Sequence, residues 1–562
     1  MTSLLQKPMG SAGASRGTRK YIFVVGGVMS GVGKGIATSS IGALMQAKGF
    51  RVTAIKIDPY INVDAGTMNP TEHGEVFVLD DGDETDQDMG NYERFLDTIL
   101  TRLNYMTTGR VYQEVIRRER NLEYSGKNVE VVPDIPLEVL RRIKLASDKA
   151  NADVALIEIG GTIGEYQNIL FLEAARMLKQ ECPKDVAFVM VSYLPMPPKI
   201  GEIKTKPTQY AARTLNSAGI QTDIILARSE VRIDEKRRAK LALFCNVRPE
   251  HVISAPDLDS IYDIPLNFDQ DGLGTALTSI LELPDHPADF GAWRTFVGKS
   301  KKAKGPVKIA IVGKYFDSGD FVLSDVYISV IEAIKFSSYT LGVKPELTWI
   351  NSKDFEKGKR NVSELNSFDG VVVPGGFGST GVEGIIGVIQ YARENRIPYF
   401  GLCYGMQLAT IEFARHVARL AGAHTTEINP DTPHPVIAVM DGQREKIAKK
   451  DFGGTMRLGA YPAQLKKRTI ARQAYGTDAI SERHRHRYEV NPAYIERLEA
   501  AGYVFSGLSP NRKLMEIAEL PKDTHPFFLG TQFHPELKAR PLAPHPLFTA
   551  FVNAANERRE KR

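Results

Sequence analysis

A chain of 562 residues is too long for one hydrophobic core and predicts two or more domains. Its 43% hydrophobic and 25% charged residues are those of an ordinary globular protein, and a net charge of +5 with no long basic stripe argues against a nucleic-acid-binding surface. Three widely separated cysteines, Cys182, Cys245 and Cys403, have neither disulfide nor metal-ligand spacing and point to a reducing, cytoplasmic setting, and no run reaches membrane-spanning length.

Residues 1–19 lack an apolar signal core and are expected to form a flexible tail. From Tyr21 onward, short apolar runs alternate with amphipathic stretches. "YIFVVGG" and "RVTAIKID" predict strands, with "GIATSSIGALMQAKG" between them as a helix; "DVALIEIGG", "DVAFVMVSYLP" and "TDIILARS" predict further strands. Over 20–283 this is the pattern of a doubly wound parallel α/β sheet. The stretch 284–306 is rich in proline, glycine and lysine and reads as an interdomain linker with one short helix. A second α/β series fills 307–556, with strands in "VKIAIVGKY", "FDGVVVPGG", "IPYFGLCYG" and "FFLGTQFHPE", and 557–562 reads as a polar tail.

The first domain opens with "FVVGGVMSGVGKG", a strand, a glycine-rich turn and a helix start. Glycines let backbone N–H groups approach phosphates, and the helix N-terminus favours anions. Lys34 supplies a cation for the terminal phosphates. The turn departs twice from G-x-x-x-x-G-K-[ST]: Gly27 lies one residue too far from Gly33, and Gly35 stands where a hydroxyl would ligate Mg²⁺. The metal must then be held by other oxygens. Asp86 and Asp88 in "DDGDETDQDMG" and Glu158 at the end of "LIEI" are the candidates, Asp88 and Glu158 the preferred pair.

The second domain carries "GLCYG", the G-x-nucleophile-x-G form of a strand-to-helix elbow, which exposes Cys403 at a helix start. "VVVPGGFG" ends a strand in a glycine turn, leaving the Gly376 N–H for an oxyanion. "TQFHPE" sets His534 two residues before Glu536 at another strand end, a base and its orienter. Together these predict a hydrolytic Cys–His–Glu site.

"PGGFG", "GLCYGMQ" and "FHPE" resemble the class I glutamine amidotransferases, which hydrolyse glutamine through a thioester. The resemblance implies Cys403 as nucleophile, His534 as base, Glu536 as orienter, and an oxyanion hole from Gly376 and the Tyr404 backbone. It also sets Leu402, Gln407, Glu427 and Arg487 around the glutamine. "DPYINVDAGTMNPTEHGEVFVLDDGDETDQDMGNYERF", "EIGGTIGE", "GEIKTKPTQ" and "RAKLALFCNV" resemble the CTP synthase family, from about Lys20 to Ala555 and with both domains in the family's order. That resemblance implies ATP-dependent phosphorylation of the uracil 4-oxygen of UTP and displacement of the phosphate by ammonia from L-glutamine. It implies ATP on Gly31, Val32, Gly33, Lys34, Gly35 and Ile36, Mg²⁺ on Asp88 and Glu158, and Lys56 beside the transferring phosphate. Ser30, Lys204, Lys206, Gln209 and Lys240 fall on pyrimidine nucleotide positions, and Pro256, Asp257 and Leu258 on the adenine side. A homotetramer, capable of polymerising, and activation by GTP are implied as well.

Two segments depart from the family pattern. "GGTIGEYQN" replaces an aspartate by Glu165 and a glutamate by Gln167, flanking Tyr166, in the segment around the pyrimidine nucleotide. "SDVYISV" has Ile328 at a lysine position, after the longer loop "FDSGDFVL", in the region linked to GTP. Two alternatives stay open on sequence alone. Another ATP-dependent amidotransferase of related build would lack "KTKPTQ" and "HGEVFV". A partition-type ATPase or scaffold gives no reason for Cys403, His534 and Glu536 to recur at strand ends.

Overall fold

Tyr21, Ile22, Phe23, Val24 and Val25 are all buried, a continuous apolar run suited to a strand covered on both faces. They form β1 (Lys20–Gly27) in a computed structural model that describes residues 19–562, except 200, 315–316, 319–320, 323, 441–442 and 444–452. The further strands of this first sheet are β2 (Val52–Asp58), β3 (Tyr105–Thr107), β4 (Val154–Ile159), β5 (Val186–Tyr193), β6 (Ile224–Ser229) and β7 (Val252–Pro256). Among the described residues they pair in the order β3-β2-β4-β1-β5-β6-β7, every neighbour parallel. The order reverses direction at β1, and ligands bind at such a switch point, beyond the carboxyl ends of the strands. Helices α1 (Lys34–Ala47) and α2 (Asp88–Leu96) pack together on one face. Later come α3 (Lys206–Ser217) and α4 (Glu235–Cys245).

The linker is more ordered than its composition suggests. α5 (Gly291–Lys302) buries Trp293 and Phe296. The Trp293 indole N–H donates to the Tyr262 carbonyl at 2.7 Å, and Tyr262 in turn meets Phe296 at 5.3 Å and Phe336 of the second domain at 5.5 Å between ring centroids. These aromatics join the two domain cores into one apolar cluster.

The second sheet contains β8 (Pro306–Gly313), β9 (Lys344–Asn351), β10 (Gly370–Val373), β11 (Tyr399–Leu402), β12 (Arg457–Leu465), β13 (Ala479–His486), β14 (Val504–Leu508), β15 (Met515–Glu519) and β16 (Phe528–Thr531). Its order among the described residues is β9-β8-β10-β11-β16-β15-β14-β12-β13, parallel through β16 and antiparallel beyond. The helices used below are α6 (Ile328–Thr340), α7 (Tyr404–His416) and α8 (Pro546–Lys561). The expected polar tail 557–562 is the last part of α8. Of the expected N-terminal tail, residues 1–18 lie outside the described residues, and Arg19 pairs with Asp148. Among the described residues no helix is long and apolar enough to cross a membrane.

Polar contacts close the domain junction. Arg483 of β13 is fully buried, pairing with Glu93 at 2.8 Å and with Asp80 at 2.5 Å, and Arg540 reaches the same Glu93 at 2.6 Å. Arg485 donates to Glu84 at 2.8 Å. Removing one partner from a buried ion cluster strands the other charge, at a cost of about 3–5 kcal/mol. Arg483→Met is therefore expected to lower the thermal unfolding midpoint by several degrees, measured by calorimetry; an unchanged midpoint would show the cluster to be energetically idle.

Candidate functional site

In the first domain the chain leaves β1 at Gly27 and enters α1 at Lys34. The residue that makes this turn one longer than the usual loop is absorbed by positive φ at Val28 (80°), Gly31 (72°) and Gly33 (83°). A β-branched residue there is strained, as expected of a turn held for a purpose. Lys34 folds back over the turn, because a Cβ on Gly26 would lie 2.8 Å from its Nζ. Its ammonium donates to the Gly161 carbonyl at 2.9 Å, and the Ile163 N–H donates to the Gly26 carbonyl at 2.8 Å. This brings 160–165 over the turn, with the Glu165 carboxylate acting on Lys34, while Glu165, Tyr166 and Gln167 stay exposed. Burial pushes the Lys34 ammonium below its ordinary range, against the pull of Glu158.

The missing hydroxyl after Lys34 has a steric cause. A Cβ on Gly35 would stand 1.8 Å from Asp88 Oδ1, so the Asp88 carboxylate fills the space a serine or threonine would need. Asp88 begins α2, Glu158 lies in β4 and Lys56 in β2. Lys56 Nζ donates to Asp88 and, at 2.8 Å, to Glu158 Oε1, and it stands 3.7 Å from Asp58. Tyr92 donates to the other Glu158 oxygen. Burial lowers the Lys56 pKa, but Asp88, Glu158 and Asp58 overturn this and hold it well above its ordinary range. Burial pushes Asp86 and Glu158 up. The result is a buried ammonium held among carboxylates beside the glycine-rich turn, an arrangement suited to positioning and neutralising a transferring phosphoryl group. Among the described residues no three His, Cys, Asp or Glu form a metal cluster. Asp88 and Glu158 nonetheless converge on one cation, and two carboxylates completed by substrate phosphates fit Mg²⁺.

The remaining nucleotide candidates lie in the same domain, Pro256 buried and the others partly or fully exposed. Ser30, Lys206 and Lys240 are exposed. Glu202 joins Lys204 at 2.9 Å and Arg237 of α4 at 3.1 Å, and Gln209 donates to Thr205 at 3.1 Å. Pro256 ends β7, Asp257 pairs with Arg228 at 2.9 Å, and Leu258 is exposed.

In the second domain Cys403 sits between β11 and α7 with φ 47° and ψ −92°. The elbow closes because its flanks lack side chains: a Cβ on Gly405 would meet the Val373 carbonyl oxygen at 2.3 Å, and one on Gly401 the Gly405 carbonyl carbon at 2.7 Å. The Cys403 thiol acts on the His534 imidazole, whose Nδ1 lies 2.7 Å from Glu536 Oε1. Burial pushes the imidazole down, yet Glu536 and Cys403 prevail and its pKa is pushed up to about 10. Gly375 lets the ring approach, since a Cβ there would lie 2.8 Å from His534 Cε1. The predicted triad is assembled, and Gln532, which sequence reasoning did not single out, places its amide nitrogen 3.6 Å from the Cys403 sulfur.

The other residues expected at this site have the following partners. Gln407 is buried and donates to the Tyr488 carbonyl at 2.8 Å. Glu427 accepts the Gly378 N–H at 2.8 Å, beside Gly376 in the turn 374–378. Arg487 donates to Gln443 at 2.8 Å and Thr455 at 2.9 Å. Leu402 ends β11 and the buried Tyr404 opens α7. Ile328 begins α6, whereas much of the loop "FDSGDFVL" before it lies outside the described residues. β13 ties the second site to the first domain. The Arg483 carbonyl accepts the His534 N–H at 2.7 Å and the Arg485 carbonyl lies 3.8 Å from the Cys403 sulfur, while the side chains of both arginines grip the first domain.

The profile described as CTP synthase N-terminus matches residues 20–283, and that described as Glutamine amidotransferase class-I matches residues 322–554. The chain is 51% identical over 543 residues to the CTP synthase of Thermococcus gammatolerans, covering 96% of this chain and 99% of the relative. It is 47% identical over 540 residues to that of Halalkalibacterium halodurans, with the same coverage of 96% and 99%. A solved structure of the Trypanosoma brucei CTPS glutaminase domain with bound acivicin is 36% identical, covers 45% of this chain and 94% of its own, and gives a TM-score of 0.40.

Proposed function

The chain belongs to the CTP synthase family, and from that premise we propose how its two sites divide one reaction. It is a glutamine-hydrolysing ligase that uses ATP to aminate UTP to CTP. In the first domain the Gly31–Gly33 turn, Lys34 and Ile36 hold the ATP phosphates, and Pro256, Asp257 and Leu258 border the adenine. Ser30, Lys204, Lys206, Gln209 and Lys240 take the pyrimidine nucleotide, with Glu165, Tyr166 and Gln167 beside it. Lys56 neutralises charge on the γ-phosphoryl group as it passes to the uracil 4-oxygen. Asp88 and Glu158 would hold Mg²⁺, which supplies further charge neutralisation at the phosphates. Ammonia then attacks C4 and phosphate leaves.

In the second domain Cys403 attacks the glutamine amide, with Gly376 and Tyr404 N–H groups receiving the oxyanion. His534, oriented by Glu536, moves the proton to the departing ammonia. Gln407, Glu427 and Arg487 grip the glutamine. Free ammonia would dilute and protonate, so an enclosed path between the sites keeps it concentrated and nucleophilic. The observation that carries this reading is β13, whose backbone touches Cys403 and His534 while its Arg483 and Arg485 side chains hold the first domain.

Cytoplasmic location, GTP activation and a homotetramer able to polymerise complete the proposal. Exposed Leu122, Ile169, Tyr210, Leu243 and Phe244 on the first domain support association with further copies. The test is CTP formation from UTP and ATP with magnesium chloride, with glutamine or ammonium as nitrogen source. Product from both is expected; none from either, across a GTP titration, would remove UTP as acceptor. Gly35→Ser drives its side chain into Asp88, and should lower CTP formation from both nitrogen sources about 10²-fold while glutamate release persists. Full CTP formation by that variant would refute the placement of Asp88.

A further inference from the structure

We infer that Lys314 is a positioning residue of the amide-hydrolysing site, clamping the turn 374–378 to the start of α7 so that the two oxyanion donors keep their spacing. This rests on the proposed role of Cys403, Gly376 and Tyr404. Lys314 directly follows β8 and is buried. Its ammonium donates to the Phe377 carbonyl at 3.2 Å, to the Gly378 carbonyl, and to the Tyr404 hydroxyl at 3.0 Å. It also stands 4.4 Å from the Tyr404 ring centroid, and Tyr404 donates to the same Gly378 carbonyl at 2.8 Å. One cation thus ties the residues just after Gly376 to the residue just after Cys403.

The same segment is gripped from its N–H side. Gly378 donates to Glu427 at 2.8 Å and Gly381 to Glu356 at 3.2 Å. Carbonyls facing a cation and N–H groups facing carboxylates fix a glycine-rich segment that would otherwise have wide backbone freedom. The titratable groups facing Lys314 are Tyr404 from α7, Glu427 and Glu356. Burial pushes the Lys314 ammonium down to about 8, the two carboxylates opposing it. Below that pH the clamp carries its full charge; above it the amine is neutral and its hydrogen bonds weaken.

The test measures glutamate release and ammonium-driven CTP formation by the full-length protein. Lys314→Met should lower glutaminase kcat about 10²-fold, KM changing much less, with ammonium-driven CTP formation intact. In the wild type glutaminase kcat should fall as pH rises through about 8, and Lys314→Arg, whose guanidinium does not titrate there, should move that limb upward. An unchanged kcat in Lys314→Met overturns the inference, as does a Lys314→Arg limb that stays in place. Should Lys314→Met also lose ammonium-driven synthesis, it has lost its fold and the Lys314→Arg profile decides alone. Failure of the wild type to make CTP from ammonium would strike the proposed function instead.

Discussion

Cys403→Ala is expected to lose glutamine-driven CTP formation by at least about 10³-fold and to keep ammonium-driven formation. Among the described residues the sulfur is the nucleophile that acts on the His534 imidazole, which Glu536 holds from its other side. Alanine removes the attacking atom without changing the packing of Gly401 or Gly405, which hold the elbow closed. The pocket around Lys56 draws on β2, β4 and α2, none of which the substitution alters. External ammonium therefore still meets an activated acceptor. Retained glutamine use would show that Cys403 is not the nucleophile, and parallel loss of both activities would show that the sites are not separable.

The reciprocal loss is expected at Lys56. Lys56→Met takes from Asp58, Asp88 and Glu158 the ammonium they share, leaving only the weaker pull of Lys34, and removes the fixed charge proposed to face the phosphoryl group. Cations placed to stabilise a transferring phosphoryl group are worth about 10³-fold or more in rate. CTP formation should fall by that order with either nitrogen source, and glutamate release should continue because the triad lies in the other domain. Glutamate release also reports that the variant has folded. CTP formed at the wild-type rate would mean that Lys56 only balances buried acids.

What the sequence revealed and what it hid divide along physical lines. The parallel strands β1, β4, β5, β10 and β11 are short apolar runs buried on both faces, and such runs announce themselves. The antiparallel strands β12 to β15 do not: β13 reads "AISERHRH", and its Arg483 is buried and its Arg485 half-buried against Glu93, Asp80 and Glu84 of the first domain. That pairing spans some four hundred positions and leaves no local trace. The linker looked loose because prolines and lysines outweighed Trp293 and Phe296, whose burial depends on Tyr262 and Phe336. The proposed triad was legible since Cys403 follows a strand between glycines and His534 and Glu536 follow the next strand of the sheet. Lys314 was not, because "VGKY" shows neither Gly378 nor Tyr404, far along the chain. Gly35 was visible as an anomaly, and only the fold supplied its cause in Asp88.

Transfer of nitrogen between the two sites is tested most directly with glutamine carrying ¹⁵N in its amide group. Wild-type protein is given this glutamine, UTP, ATP, magnesium chloride and unlabelled ammonium at a limiting concentration, and the 4-amino group of the CTP formed is analysed by mass spectrometry. The expected result is predominantly ¹⁵N-labelled CTP from the wild type and wholly unlabelled CTP from Cys403→Ala. Unlabelled CTP from the wild type, with glutamate released at the same rate, would contradict delivery of ammonia from Cys403 to the pocket at Lys56.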